Sequence, residues 1–154
     1  MHILMTGGTG LIGTATSTVL HESGHKLTIL TRRAPLATDD ATYVTALADC
    51  AEPVDAVINL AGAGLADRRW SSAYKRQIVS SRVDLTRELV AWLGECAQPP
   101  RKLISASAIG YYGAEEAQTF TESGEPGTGF AAALCQSWEE EAGRAAEYLS
   151  LIHI

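Results

Sequence analysis

The feature that most constrains the fold is a glycine-rich turn near the start of the chain. A short apolar run over residues 2–6 ends at Gly7, and further glycines follow at Gly10 and Gly13. Apolar residues then recur at helical spacing until Gly24. The pattern therefore predicts a strand, a tight glycine turn and a helix, with free helix N–H groups at the end of the strand.

The rest of the chain continues this alternation. It predicts further strands at residues 26–31, 42–44, 54–60 and 101–106, and helices at residues 71–98 and 130–149. Pro35 ends the second strand region, and a Gly/Glu/Thr-rich loop follows Gly113. Strands that alternate with helices are typical of a parallel sheet covered on both faces. The predicted fold class is α/β, a Rossmann-type doubly wound parallel sheet over residues 1–148.

Only residues 149–154 follow the last predicted helix. They are enough for one edge strand or a truncated tail, so we expect a sheet that is truncated after the helix following the fifth strand. Without a paired sixth strand, the fifth strand would offer unpaired N–H and C=O groups to other chains.

Composition narrows the class of protein. The length of 154 residues fits one domain, and 46% apolar with 19% charged residues is ordinary globular usage. Neither a membrane span nor a basic stripe for nucleic acid is present, because apolar runs are short and the net charge is −6. The three cysteines are odd in number and lack metal-ligand spacing, which predicts no metal site and favours a reducing, cytoplasmic compartment. The expected partner is a small molecule.

Four predicted strands are each followed by a segment that is rich in glycine, in arginine, or in serine and tyrosine. These segments are residues 7–13, 31–33, 61–64 and 105–113. Because the carboxyl ends of parallel strands share one edge, these segments are expected to line one crevice. The glycine spacing in the first is that of a dinucleotide-binding turn, in which the backbone approaches a pyrophosphate. The alternative is an ordinary glycine-rich connection between strand and helix.

The second predicted strand ends at Thr31, Arg32 and Arg33. A carboxylate that binds the ribose 2′-hydroxyl of NAD usually stands there. Two guanidiniums instead suit the 2′-phosphate of NADP, which a carboxylate would repel. The sequence therefore predicts NADP(H) as cofactor, with NAD(H) less favoured; a solvated basic strand end is the alternative.

Several motifs together resemble one family. Residues 6–13 (TGGTGLIG), 59–62 (NLAG) and 112–113 (YG) are similar to the extended short-chain dehydrogenase/reductases of the NAD(P)-dependent epimerase/dehydratase superfamily. Residues 69–70 (RW), 81–83 (SRV), 104–113 (ISASAIGYYG) and 138–139 (WE) resemble its "epimerase family protein" subgroup, of cell-division-inhibitor-like name. The resemblance covers residues 2–147 and corresponds to the N-terminal half of such proteins. It implies hydride transfer to or from a small polar, sugar-like substrate that the motifs do not identify.

The segments at the strand ends and the family resemblance together predict which residues form the site. The cofactor-binding candidates are Thr6, Gly7, Gly10, Leu11, Ile12, Gly13, Thr31, Arg32, Arg33, Leu60, Ala61, Gly62 and Ser105. On the substrate side the candidates are Arg69 and Trp70. For Trp70 the alternative is packing ahead of a helix.

The chain departs from the family at the residues that move the proton. The family carries Tyr-x-x-x-Lys on the helix after the fifth strand, and the matching stretch here has Phe130 and Leu134. The catalytic candidates that remain are Ser107, Tyr111 and Tyr112, each with a packing or backbone-bonding alternative. Two function classes stay open: an atypical oxidoreductase or epimerase, and a non-catalytic NADP(H)-binding sensor or partner-binding module.

Overall fold

A parallel sheet forms the centre of the molecule. The computed structural model describes residues 1–33, 40–113 and 119–154, and within them the sheet has six strands. They are β1 His2–Thr6, β2 Lys26–Leu30, β3 Thr42–Val44, β4 Ala56–Asn59, β5 Lys102–Ser105 and β6 Ser150–His153. Their spatial order is β3-β2-β1-β4-β5-β6, so the direction of winding reverses between β1 and β4. This confirms the predicted Rossmann-type α/β class.

Helices connect the strands. They are α1 Leu11–Glu22, α2 Ser72–Val79, α3 Leu85–Glu95 and α4 Phe130–Gly143. The single helix predicted over residues 71–98 is divided by a π-helical turn at Ser80–Asp84, whereas its predicted cap is correct, since the Ser71 hydroxyl accepts from the N–H of Tyr74. The predicted stop at Pro35, and residues 114–118 of the predicted loop, lie outside the described residues.

Alternate strand residues bury on opposite faces of the sheet. Leu4, Val57 and Leu103 face α3, and Ile3 and Met5 lie on the side that Leu20 of α1 covers. Helix α4 lies beside α3, and a third cluster joins it to α2 and the π-helical turn through Tyr74, Ile78, Val83, Leu134 and Trp138. The period-2 pattern of the strands thus gives the two covered faces expected of a doubly wound sheet.

The strand register places the carboxyl ends in one row. Thr6 pairs with Leu30 on one side and with Asn59 on the other, and Asn59 pairs with Ser105. The segments that follow these residues therefore start at the same edge, as expected for parallel strands.

The far edge of the sheet is formed by the last residues of the described chain. Residues 150–153 form β6 and pair in parallel with all four residues of β5. Of the two forms expected for residues 149–154, an edge strand and a truncated tail, the structure has the edge strand, so β5 is paired on this side. Among the helices of the described residues, none is long and apolar enough to cross a membrane.

Candidate functional site

The turn after β1 has no room for side chains at two of its glycines. Gly7 has φ +71°, and a Cβ there would lie 2.7 Å from the carbonyl carbon of Leu60. A Cβ at Gly13 would lie 2.1 Å from the carbonyl oxygen of Gly7. That oxygen accepts from the N–H of Gly10 at 3.0 Å. The turn is therefore closed by backbone contacts, both to its own helix and to the segment after β4.

Helix α1 begins in this turn with an open N-terminus. Its N-cap, Gly10, provides no side-chain hydrogen bond, and the first turn contains no acidic residue. The N–H groups of Leu11 and Ile12 have no backbone acceptor among the described residues, while their side chains are 92% and 68% exposed. Free N–H groups and the positive end of the helix dipole suit an anionic group.

The end of β2 presents two cations at the same edge. The N–H of Thr31 donates to Val44 at 2.9 Å, and its hydroxyl donates to the carbonyl of Arg33 at 3.2 Å. Arg32 and Arg33 are exposed, and neither forms an ion pair with a described residue. The end of β2 therefore carries two positive charges at the surface, which suit a phosphate group.

A buried hydrogen-bond network holds the carboxyl ends of β1, β4 and β5 in place. The Asn59 side chain accepts from the Thr6 hydroxyl at 2.7 Å and donates to the hydroxyls of Thr86 at 2.8 Å and Ser105 at 3.2 Å. Thr86 also accepts from the indole N–H of Trp138 at 3.0 Å. Because buried polar groups are costly when unpaired, this network fixes three strands against α3 and α4.

Two predicted cofactor ligands belong to that network. Thr6 and Ser105 have no exposed surface. The Thr6 hydroxyl also accepts from the N–H of Ala61 at 3.2 Å, which holds the turn after β4. We therefore interpret Thr6 and Ser105 as supports of the two turns, since neither offers surface that a ligand can contact.

The turn after β4 lies on the π-helical turn between α2 and α3. The N–H of Ala63 donates to the Ser81 hydroxyl at 2.9 Å. A Cβ at Gly62 would lie 2.6 Å from the guanidinium carbon of Arg82. Leu60 and Ala61 are half-buried and Gly62 is exposed. The sequence singled out Ser81-Arg82-Val83 only as part of a motif, so the position of Arg82 in the site is a finding of the structure.

The three catalytic candidates follow β5 but differ in their surroundings. The Ser107 hydroxyl donates to the carboxylate of Glu139 on α4. Tyr111 and Tyr112 lie in a 3₁₀ turn, where the Tyr112 ring stacks on Phe120 at 4.9 Å between centroids. Neither tyrosine hydroxyl has a hydrogen-bond partner among the described residues, whereas the Ser107 hydroxyl is bonded to Glu139.

Helix α4 turns a different pair toward β5 than the motif match predicts. The ring of Phe130 contacts Trp70 edge to face at 5.4 Å, and Leu134 is buried against α2. The pair beside the turn after β5 is Ala131 and Cys135, whose thiol lies 3.6 Å from the carbonyl oxygen of Ala108. Glu139, one helical turn further along α4, accepts from Ser107. No tyrosine or lysine occupies either i, i+4 pair, so the family's proton relay is missing in both registers.

Cys135 itself is a poor replacement for that relay. Burial raises the pKa of its thiol, and the neighbouring Glu139 carboxylate raises it further. A neutral thiol at physiological pH is a weak nucleophile and a weak base.

The two candidates on the substrate side lie in the polar segment between β4 and α2. The indole N–H of Trp70 donates to the carbonyl of Leu65 at 2.8 Å, and its ring rests on Phe130. Arg69 is exposed. These contacts favour the packing interpretation for Trp70, whereas the guanidinium of Arg69 is open to solvent.

The amino-acid sequence matches a known protein family. Residues 3–150 match the family described as "NAD dependent epimerase/dehydratase family". The chain belongs to this family. The predicted resemblance is therefore confirmed, over about nine tenths of the chain.

Relatives within the epimerase/dehydratase family are substantially longer. The "Epimerase family protein YfhF" of Bacillus subtilis is 38% identical in an alignment of 149 residues that covers 92% of this chain and 49% of that protein. The "Epimerase family protein Mb2239" of Mycobacterium bovis is 37% identical in an alignment of 145 residues that covers 89% of this chain and 46% of that protein. The chain thus spans about half the length of the curated relatives it matches.

A solved structure has the same fold. The crystal structure of human epimerase family protein SDR39U1 with NADPH superposes with a TM-score of 0.80 at 27% identity, covering 92% of this chain and 48% of that chain. Agreement at this level supports the strand order and the position of the glycine turn at the sheet edge.

Proposed function

We propose that this chain is the NADP(H)-binding half of an atypical epimerase-like oxidoreductase that acts on a small polar, sugar-like substrate. The observation that carries the proposal is the glycine turn, where a Cβ at Gly13 would lie 2.1 Å from the carbonyl oxygen of Gly7. Such a turn keeps the backbone bare beside an uncapped helix N-terminus, as a bound pyrophosphate requires. The related human SDR39U1 was crystallised with NADPH.

Each part of a dinucleotide has residues that suit it. The open N–H groups of Leu11 and Ile12 fit the pyrophosphate, and Arg32 with Arg33 fits a 2′-phosphate. The turns after β4 and β5 start at the same edge and would hold the nicotinamide end. When bound, the nicotinamide accepts or supplies a hydride, while the protein orients it and excludes water.

The choice of NADP(H) over NAD(H) rests on charge. A hydrogen bond to a charged group contributes about 1.5–3 kcal/mol, and about 1.4 kcal/mol corresponds to tenfold in affinity. Both arginines are exposed and partly screened, so we expect a preference of at least roughly tenfold, below the more than about hundredfold that two buried contacts would give.

Calorimetric titration with NADPH and NADH at fixed salt tests the assignment. The Arg32→Asp variant removes a cation and places an anion beside the 2′-phosphate, so it should bind NADH more tightly than NADPH. Arg76→Asp is the matched control, because Arg76 is an exposed arginine on α2 away from the end of β2. Equal affinity of the unaltered protein for both cofactors refutes the role of the arginines, and binding of neither refutes the dinucleotide proposal.

A second function is favoured by one observation. Glu139 of α4 is already bonded to Ser107 after β5. The i, i+4 pair beside the same turn is Ala131 and Cys135, which cannot replace a tyrosine–lysine pair. A non-catalytic NADP(H)-binding sensor or partner-binding module fits that substitution. The absorbance of reduced nicotinamide separates the two. Loss of NADPH that depends on an added carbonyl compound, or reduction of NADP+ that depends on an added nucleotide sugar, supports the enzyme, and tight binding without either change supports the sensor.

A further inference from the structure

A cavity opens near the amino ends of β4 and β5, on the edge of the sheet opposite the glycine turn. Its volume is about 270 Å³, and it is lined by residues 50–54, by Trp92 and by residues 96–98. Val54 is buried at its base, whereas Gln98 is exposed at its rim, so the cavity is open to solvent. Strand residues rise about 3.3 Å each, which places the cavity roughly 15 Å from the carboxyl ends of the strands.

Two of the three cysteines of the chain line this cavity. Cys50 follows the 3₁₀ turn at Leu47–Asp49, and Cys96 follows the last residue of α3. Both are half-buried. Trp92 lies between them in the fold, because it packs with Cys50 against one core cluster and its carbonyl oxygen accepts from the Cys96 thiol at 3.3 Å. The fold therefore brings two thiols that are distant in the sequence to one open cavity.

The backbone at both cysteines lies outside the regular elements. Neither residue belongs to a strand, and each stands just beyond the end of its helical turn. A disulfide needs the two Cα atoms within about 7 Å of each other. The segments that carry Cys50 and Cys96 can close across the cavity to this distance without breaking the pairing of the strands.

The surroundings of the two thiols favour the bonded state. Burial raises the pKa of Cys50 most, and the neighbouring Cys96 and Glu52 raise it further. Burial, followed by Glu95, raises the pKa of Cys96. A low thiol pKa stabilises the reduced form of a cysteine pair, so raised values favour the disulfide at equilibrium. They also slow its formation, because the thiolate is the attacking species.

We propose that Cys50 and Cys96 form a dithiol site that reacts with small disulfides and closes to an intramolecular disulfide. First, the thiolate of one cysteine attacks R–S–S–R. A protein–S–S–R bond forms, and the leaving R–S⁻ takes up the proton that the cysteine lost. The other cysteine then gives up its proton and attacks the protein sulfur of this mixed disulfide, and a second R–SH leaves. The protein loses two electrons and two protons, and the small disulfide is reduced to two thiols.

Incubation of the folded protein with oxidised glutathione, followed by acid quenching and mass spectrometry, tests the site. We expect a product two hydrogen atoms lighter than the reduced protein. Its peptide map should join Cys50 to Cys96 and leave Cys135 as a thiol. Cys50→Ala and Cys96→Ala should each stop at one glutathione adduct, on the remaining cysteine of the pair. Cys135→Ala is the matched control and should form the same disulfide as the unaltered protein, because Cys135 lies beside the turn after β5.

The urea-unfolded chain is the control for chance pairing. Cys96 stands at similar separations along the chain from Cys50 and from Cys135, so the unfolded chain should form both bridges in comparable amounts. In the folded protein the Cys50–Cys96 bridge should exceed any other by more than about tenfold, since the shared cavity replaces chain closure.

Four results would overturn the proposal. They are stable separate adducts on Cys50 and Cys96, a bridge that joins two chains, the same mixture of bridges in the folded and unfolded protein, and no reaction of the folded protein under conditions that oxidise the unfolded chain. None of them depends on NADPH, so the proposal stands or falls independently of the proposed function.

Discussion

Replacing Thr86 by valine should destabilise the protein by about 3 kcal/mol. The two side chains have nearly the same volume, so no cavity forms. The Thr86 oxygen, however, accepts from Asn59 at 2.8 Å and from the Trp138 indole at 3.0 Å, and all three residues are buried. Each unpaired buried donor costs about 1–3 kcal/mol. The cost for Asn59 is at the low end, because its amide keeps the bond to Ser105.

Urea unfolding followed by circular dichroism measures this loss as a free energy of unfolding. In thermal unfolding of a domain of this size, the same loss should lower the melting temperature by roughly 6–12 °C. Thr86→Ser is the control: it keeps the acceptor, loses one methyl group and should cost only about 1 kcal/mol. The loss should also shrink in a Trp138→Phe background, which has no indole donor to leave unpaired. If Thr86→Val is as stable as the unaltered protein, or more stable than Thr86→Ser, the network does not stabilise the strand ends as argued.

Three further changes have defined outcomes. Gly13→Ala should abolish NADPH binding in calorimetry, since a Cβ 2.1 Å from the Gly7 carbonyl oxygen must open the turn. Phe130→Tyr with Leu134→Lys should give no turnover of nucleotide sugars and a lower melting temperature, because the lysine enters an apolar cluster. Burial raises the pKa of the Cys50 and Cys96 thiols, so alkylation should set in at higher pH than for the urea-unfolded chain, which is the control.

The Cys50 and Cys96 thiols also determine how the stability of the folded protein changes at alkaline pH. Because the folded state holds their protons more tightly, they favour folding below the ordinary thiol pKa. That contribution is lost as the pH rises through the raised values, so stability should fall on the alkaline side. Chemical unfolding across this range, with Cys50→Ala and Cys96→Ala as controls, should show a smaller alkaline loss in the variants.

Local patterns in the sequence determined the elements and the class of the fold. Strand and helix periods do not depend on distant contacts, so the apolar run before Gly7, the glycine spacing and the Ser71 cap were readable directly. Parallel connections then require that the strand ends share an edge, which brings the glycine turn and Arg32 into one site without any coordinates.

Side-chain orientation at the site was decided by packing between distant segments. The π-helical turn places Arg82 beneath Gly62. Such a turn contains one residue more than an α-helical turn, and nothing in the local sequence specifies this extra residue. The rotation of α4, which buries Leu134 and turns Cys135 toward β5, is set by its contacts with α2 and α3. A shift of one residue moves a helical side chain by about 100°, so motif spacing alone does not determine which pair faces the crevice. The sequence therefore predicts where the candidate site lies, and the tertiary structure decides which side chains lie beside it.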